Sequence, residues 1–230
     1  MTPSYSPPLL APHEQSDVEA VKRWRKAVRD ALVEARLAID DAEHARLSAA
    51  IHDRLASALA DVAGIAVALY WPYRREFDPR PLGELLWTRG GTCALPVVVV
   101  PKTPLVFRAW YADSRLEPGA YGIPVPVATA DVSPEIVLAP LAGFDALGYR
   151  LGYGTGYFDR TLAALGNRPI SIGVGFEVAR LDSIHPQPHD VPLDFIVTER
   201  GMHRTRAGGR LASGEAKDVR RIDVAADDDG

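Results

Sequence analysis

The sequence predicts an α/β fold: a single three-layer α/β/α domain with a mainly parallel sheet and two helices at its N-terminal side. Three observations lead there. Helical periods alternate with short β-branched runs, the pattern of a parallel sheet covered by helices. The runs themselves are short and apolar, as buried strands are. The chain has 230 residues, 47% of them hydrophobic, which suits one medium domain with a real core.

The elements follow in order. Residues 1–16 are rich in proline and serine without periodicity, and read as a disordered N-terminal tail. "DVEAVKRWRKAVRDALVEAR" sets Val21, Trp24, Val28 and Leu32 at helical spacing, with Asp17 placed to cap the start. A second helix starts from Asp40, where Glu43 completes a capping-box pattern, and its apolar stripe is Leu47, Ile51, Leu55 and Leu59. Gly64 then opens "IAVALYW", a buried strand. "PRPLGELLWTRG" reads as a helix with proline near its start and glycine past its end. "TCALPVVVV", "LVFRAWY", "EIVLAPL", "ISIGVGF" and "DFIVTE" read as strands, and "YFDRTLAAL" as the opening turns of a helix. The domain spans 17–200. Residues 201–230, which mix charge, glycine and alanine, are expected to form a disordered C-terminal tail.

Composition excludes several classes. A net charge of −4 and a pI near 5.9 argue against a general nucleic-acid binder. Cys93 is the single cysteine, so no intrachain disulfide forms, and it reads as a small core residue. No apolar run approaches the roughly 20 residues of a membrane helix. The first residues lack the basic patch and apolar stretch of a signal peptide. The expectation is a cytoplasmic protein with neither nucleic acid nor membrane as partner, its oligomeric state open with a monomer favoured.

The chemistry concentrates in "FDALGYRLGYGTGYFDR", Phe144 to Arg160, with glycine at 148, 152, 154 and 156. The segment joins a strand to a helix, where free N–H groups and the helix dipole hold anions. It is neither the dinucleotide G-x-G-x-x-G, since position 157 is tyrosine, nor a Walker A loop, since no G-K-S/T follows. A phosphate cradle and a structural turn both remain open on pattern alone. Arg150 and Arg160 flank the loop and favour phosphate. Asp159 suits either a magnesium ion beside the phosphates or simple stabilisation of the helix start. Further on, "HPQPHDVPLD" holds His185, His189 and Asp190, but Pro186 and Pro188 break the helix that an i,i+4 zinc pair requires. Asp194 is expected to support the turn into the following strand.

Together, "FD..G.RLG.G.GYFDR.L" and the downstream "PHDVPLDFIVTE" resemble the 5-formyltetrahydrofolate cyclo-ligase family, also called methenyltetrahydrofolate synthetases. The resemblance runs from about Val21 to Glu199 and includes the family's basic element as "RKAVR", Arg25 to Arg29. It implies that Arg25 and Arg29 reach ATP phosphates. It also implies that the segment Arg150, Leu151, Gly152, Tyr153, Gly154, Thr155, Gly156, Tyr157 and Phe158 binds ATP. Arg150 and Asp159 would be catalytic, and Asp159 and Asp190 would hold Mg²⁺. Trp71, Glu76 and, in "YGIPVP", Tyr121 would contact the folate; a carboxylate suits the amino-pyrimidine edge of a pterin.

The implied reaction is ATP- and Mg²⁺-dependent closure of 5-formyltetrahydrofolate to 5,10-methenyltetrahydrofolate with release of ADP and phosphate. The alternative is a diverged paralogue that binds nucleotide or folate in a regulatory role. Departures from the family pattern stand at Tyr153 and Thr155, where basic or glycine residues are frequent, at Val125 before Pro126, and at Val178 and Ala179 after "GFE".

Overall fold

A computed structural model describes residues 17–205. The elements are α1 (Val18–Leu37), α2 (Asp41–Ala58), β1 (Ala66–Ala68), α3 (Arg80–Thr88), β2 (Thr92–Val97), β3 (Val106–Trp110), β4 (Leu116–Pro118), β5 (Pro124–Pro126), β6 (Asp131–Val132), β7 (Ile136–Pro140), β8 (Gly143–Phe144), β9 (Arg150–Leu151), α4 (Tyr157–Ala164), β10 (Ile170–Val174), β11 (Phe195–Thr198) and β12 (Gly201–Arg204). Eight strands form one sheet in the order β12-β11-β10-β7-β1-β2-β3-β6; β4–β5 and β8–β9 are separate hairpins. Among the described residues no helix is long and apolar enough to cross a membrane.

The expected α/β fold is present, with the parallel character confined to the middle. Strands β11, β10, β7, β1 and β2 run parallel, while β12, β3 and β6 are antiparallel additions at the edges. The run "TCALPVVVV" forms strand only to Val97, and Val99 and Val100 are exposed. Pro101 has no N–H for a ladder, and the chain turns there, with the Thr103 amide donating to the Val100 carbonyl. That turn sends β3 back against β2, pairing Val97 with Val106 and Cys93 with Trp110. Strand β12 extends the sheet four residues beyond the boundary expected at residue 200, because Arg200–Gly201 lets the chain fold back on β11. The remainder of both expected tails, 1–16 and 206–230, lies outside the described residues.

Burial on both faces explains the unbroken apolar strands. On one face Leu47, Ile51 and Leu55 of α2 and Leu82 and Leu86 of α3 pack against Val67, Leu69, Leu95, Leu138 and Ile172. On the other, Phe158, Leu162 and Leu165 cover Ala68, Ala94, Phe107 and Val137. The small alanines on that second face let α4 sit close. Cys93 is buried in the first cluster, and burial pushes its thiol up to about 12. Asp194 accepts from both the amide and the hydroxyl of Ser171 at 2.8 Å, tying the start of β11 to β10.

The helix caps form as the residue types dictate. Asp17 accepts from the Ala20 amide, and Asp40 Oδ1 accepts from the Glu43 amide at 2.9 Å. The capping box is only half made, because the Glu43 carboxylate is held by both arms of Arg46, at 2.6 and 2.7 Å.

Helix α1 does not join the sheet layers. Trp24, Val28 and Leu32 pack instead on Leu151 of the β8–β9 hairpin and on Leu181 and Ile184 in the segment between β10 and β11. Strand β1 continues through α3 to β2 on one side, while its neighbour β7 continues through α4 to β10 on the other. Connections therefore diverge between β1 and β7, the switch point at whose carboxyl end ligands of such sheets bind.

Candidate functional site

A cavity of about 720 Å³ opens at that switch point. Its walls come from the loop after β1, the long loop after β7, segments 120–125 and 187–190, and one face of α1. Every site residue that the family resemblance implied lines it: Arg25, Arg29, Trp71, Glu76, Tyr121, the whole run Arg150 to Asp159, and Asp190.

The loop after β7 first makes the β8–β9 hairpin. Its turn is organised by buried Asp145, whose Oδ1 accepts from the amides of Leu147 (3.0 Å) and Tyr149 (3.1 Å) while Oδ2 accepts from Ile184 at 3.1 Å. Gly148 occupies the turn at φ +91°, and a Cβ there would stand 2.6 Å from the Leu193 carbonyl oxygen. It shapes the turn and takes no part in the cavity. Gly154 is also left-handed, at φ +88°, but a Cβ there would meet only the Arg29 guanidinium, at 3.7–3.8 Å. Gly156, at φ +64°, is the N-cap of α4 and has no side chain to satisfy the first amides of the helix. Those amides and the dipole end face a cavity lined with arginine, a setting suited to an anion.

Four charged groups alternate beside this loop. Arg150 pairs with Asp159 at 2.9 Å, with side chains 3% and 12% exposed, and Arg25 pairs with Asp190 at 2.9 Å. Asp190 Oδ2 also accepts from the Gln187 amide at 2.6 Å, and the Val191 amide reaches Asp159 Oδ1 at 3.3 Å. Burial lowers the pKa of Arg150, with Asp159 and then Asp190 opposing it; the guanidinium stays charged. Arg29 Nε donates to the Gly152 carbonyl, so this arginine also holds the loop in shape. Arg160, which the sequence offered as a second phosphate-side arginine, stands outside the cavity lining. It donates to the Thr155 carbonyl and lies over the Tyr157 ring, 5.2 Å from its centroid.

The donor set fits a magnesium ion that keeps waters and phosphate oxygens in its shell. Each carboxylate commits Oδ2 to an arginine and leaves Oδ1 only weakly engaged: Asp159 by the 3.3 Å amide, Asp190 by His189 at 3.9 Å. Among the described residues no group of three or more His, Cys, Asp or Glu gathers to hold a metal. His185 packs edge-on against Trp24, with ring centroids 4.8 Å apart.

The loop after β1 supplies the other groups. The Arg80 guanidinium lies 4.4 Å from the centroid of Trp71 and is itself gripped by Asp78 at 2.6 and 2.8 Å. Glu76 is only 5% exposed; Oε2 accepts from the Tyr73 amide at 2.9 Å, and Oε1 has no partner among the described residues. Burial pushes its pKa up to about 7, against the pull of Arg36, the Tyr73 amide and the Tyr153 hydroxyl. A buried carboxylate with one free oxygen at a cavity wall calls for a donor from a ligand. Tyr121 is 71% exposed at φ 59°, edge-on to Tyr157 with centroids 6.5 Å apart. Val178 and Ala179 pack into the core and stand outside the cavity lining.

Sequence reasoning missed Arg36, Tyr73 and Asp145. Arg36 had a signal: Arg25, Arg29 and Arg36 fall within about 40° of one another on a helix of 3.6 residues per turn. Three cations on one face beside an apolar stripe are more than a solvated surface. Asp145 had no such signal, because its partners are backbone amides, two in its own turn and one from distant Ile184.

Comparison with known proteins identifies the family and the fold. The model of the 5-formyltetrahydrofolate cyclo-ligase family matches residues 21–199. The 5-formyltetrahydrofolate cyclo-ligase of Haemophilus influenzae is 31% identical over 139 residues, covering 57% of this chain and 74% of that one. The solved structure of Aquifex aeolicus 5,10-methenyltetrahydrofolate synthetase superposes with a TM-score of 0.69 at 28% identity, over 82% of this chain and 96% of that one. The corresponding synthetase of Mycoplasma pneumoniae gives 0.63 at 26% identity, over 76% and 98%.

Proposed function

The chain belongs to the 5-formyltetrahydrofolate cyclo-ligase family, and from that premise we propose that it closes 5-formyltetrahydrofolate to 5,10-methenyltetrahydrofolate using ATP and Mg²⁺. The observation that carries this reading is the meeting, in one cavity, of an arginine-flanked glycine loop at a helix start and a buried carboxylate with an unpartnered oxygen. The first suits a triphosphate and the second a pterin edge.

The N5-formyl carbon is amide-like and resists attack by N10. Transfer of the ATP γ-phosphoryl to the formyl oxygen forms an O–P bond, breaks the bond to ADP and turns that oxygen into a leaving group. N10 then attacks the formyl carbon and loses its proton, the C–O bond breaks, and phosphate departs. No protein nucleophile is required.

The chain's own work is positioning and charge neutralisation. Arg25 and Arg29 on α1 and Arg150 on β9 bring positive charge to the triphosphate. The amides of Gly152–Gly156 and the first turn of α4 supply donors. Glu76, ionised above about 7, accepts from the amino-pyrimidine edge, and Trp71 and Tyr121 flank the ring system. Asp159 and Asp190 would hold magnesium, which when bound neutralises phosphate charge during the transfer.

The test labels the formyl oxygen of the substrate with ¹⁸O and weighs the released phosphate. Label in the phosphate supports phosphorylation of the formyl oxygen; product formed with unlabelled phosphate contradicts it. Protein that binds ATP yet forms no product at all belongs to the paralogue reading instead.

A further inference from the structure

Arg36 closes the C-terminal end of α1, is 4% exposed, and spends its guanidinium on three separate segments. Its Nε donates to the Arg74 carbonyl at 3.0 Å, in the loop that carries Glu76. Its Nη1 donates to the Leu141 carbonyl at 3.2 Å, where the chain leaves β7. Its Nη2 donates to the Tyr153 hydroxyl at 2.6 Å, in the glycine loop. Tyr153 in turn lies edge-on to Tyr73, ring centroids 5.4 Å apart, so the two loops also touch through their rings.

The loop held this way needs holding. Arg74 and Arg75 both adopt left-handed backbone, at φ 48° and 57°, a conformation that costs non-glycine residues free energy unless the surroundings enforce it. Arg75 adds its own ties, to Asp41 at 2.8 Å and to the Ile39 carbonyl at 2.9 Å. Unlike Arg75, Arg36 also reaches across to the glycine loop.

We infer that Arg36 is a positioning residue which, with Tyr153, locks the nucleotide loop to the folate loop and so sets the distance between phosphoryl donor and formyl acceptor. The inference rests on the assignment of the glycine loop to ATP and of Glu76 to folate. A rigid fork of five donors can bridge three segments at once; a lysine ammonium cannot. Tyr153 therefore has a defined task here, as the acceptor that brings the arginine's reach to the glycine loop. Charge enters as well, since Glu76 is faced by Arg36 from α1, Tyr70 from the end of β1 and Tyr153 from the glycine loop. Of these, Arg36 and Tyr153 favour its ionised form.

Three variants separate this role from plain structural support: Tyr153→Phe, Arg36→Lys and Arg36→Met, compared with wild type for kcat, both KM values, thermal midpoint and the pH dependence of folate kcat/KM. In Tyr153→Phe the expected result is a fall in kcat on the order of tenfold or more from misalignment, with the KM for ATP within about twofold. The acid limb of its folate profile should move up by roughly half a pH unit or more, because a group favouring the ionised Glu76 is gone. Arg36→Lys should show the kcat loss with the acid limb near its wild-type place, since the charge remains. Arg36→Met should show both; if it does not fold, Tyr153→Phe decides alone. Tyr153→Phe with wild-type kcat and an unmoved acid limb overturns the inference, even if its melting point drops. Wild-type protein that binds ATP and folate but forms no product would remove the functional reading beneath it, an outcome distinct from any change among the variants.

Discussion

Arg150 Nη2 donates to Asp159 Oδ2 at 2.9 Å across the glycine loop, joining β9 to the first turn of α4 in a nearly solvent-free pair. The pair frames the loop whose amides face the cavity. It also fixes what a change at either member should do.

Asp159→Ala should abolish turnover, because it removes a proposed magnesium ligand. It should also destabilise the fold by about 3–5 kcal/mol, since the Arg150 guanidinium is then buried without its counter-charge. Steady-state rates and denaturant melts on one preparation check both. An unchanged rate would remove the metal assignment; an unchanged melt would mean that Arg150 finds another partner.

Arg29→Ala should raise the KM for ATP by roughly tenfold or more while leaving the folate KM nearly unchanged. The size corresponds to a charge-assisted contact of about 1.5–3 kcal/mol. Wild-type ATP dependence would leave Arg29 with only its structural bond to the Gly152 carbonyl.

Glu76→Gln should weaken folate and stabilise the protein. The Glu76 pKa is raised to about 7 by burial, so between the ordinary carboxylate range and 7 the folded chain holds a proton that the unfolded chain releases. Stability therefore falls as pH rises through that window and stays low above it. Glutamine resembles the neutral acid, so the variant should exceed wild type at pH 8 by up to roughly 3 kcal/mol and lose the advantage below about pH 5. Melting curves at the two pH values measure it; no difference at pH 8 would show that the carboxylate is not held in a costly environment.

Two of the left-handed glycines, Gly148 and Gly154, should part company. Gly148→Ala places a Cβ 2.6 Å from the Leu193 carbonyl oxygen and should cost several kcal/mol, on the order of other overpacked buried sites, or prevent folding. Gly154→Ala has space but the wrong backbone angle, and its Cβ faces the Arg29 guanidinium at 3.7–3.8 Å. Its effect should fall mainly on ATP binding. Equal losses of stability would contradict the division between a turn glycine and a cavity glycine.

Much of this was legible in the chain itself. The apolar stripes of α1 and α2, the proline and glycine bounding α3, and the short strand runs all reflect local periodicity, which a sequence displays directly. The glycine loop was legible as a strand-to-helix connection, where an anion cradle and a structural turn were both open, because its spacing sits between a strand run and a helix period. Other features depend on distance. That Val98 to Val100 leave the sheet is decided by Pro101 and by where β3 pairs, not by their own preference. Arg36 reads as an ordinary last-turn cation until the Arg74, Leu141 and Tyr153 acceptors are placed around it. The raised pKa of Glu76 arises from burial that no local pattern announces.

The most direct measurement is formation of 5,10-methenyltetrahydrofolate, followed by absorbance in a mixture of the purified protein, 5-formyltetrahydrofolate and magnesium, with and without ATP. Product that appears only with ATP and stops on addition of a chelator is the predicted result. Folded protein that binds ATP but leaves 5-formyltetrahydrofolate unchanged would contradict the proposed reaction.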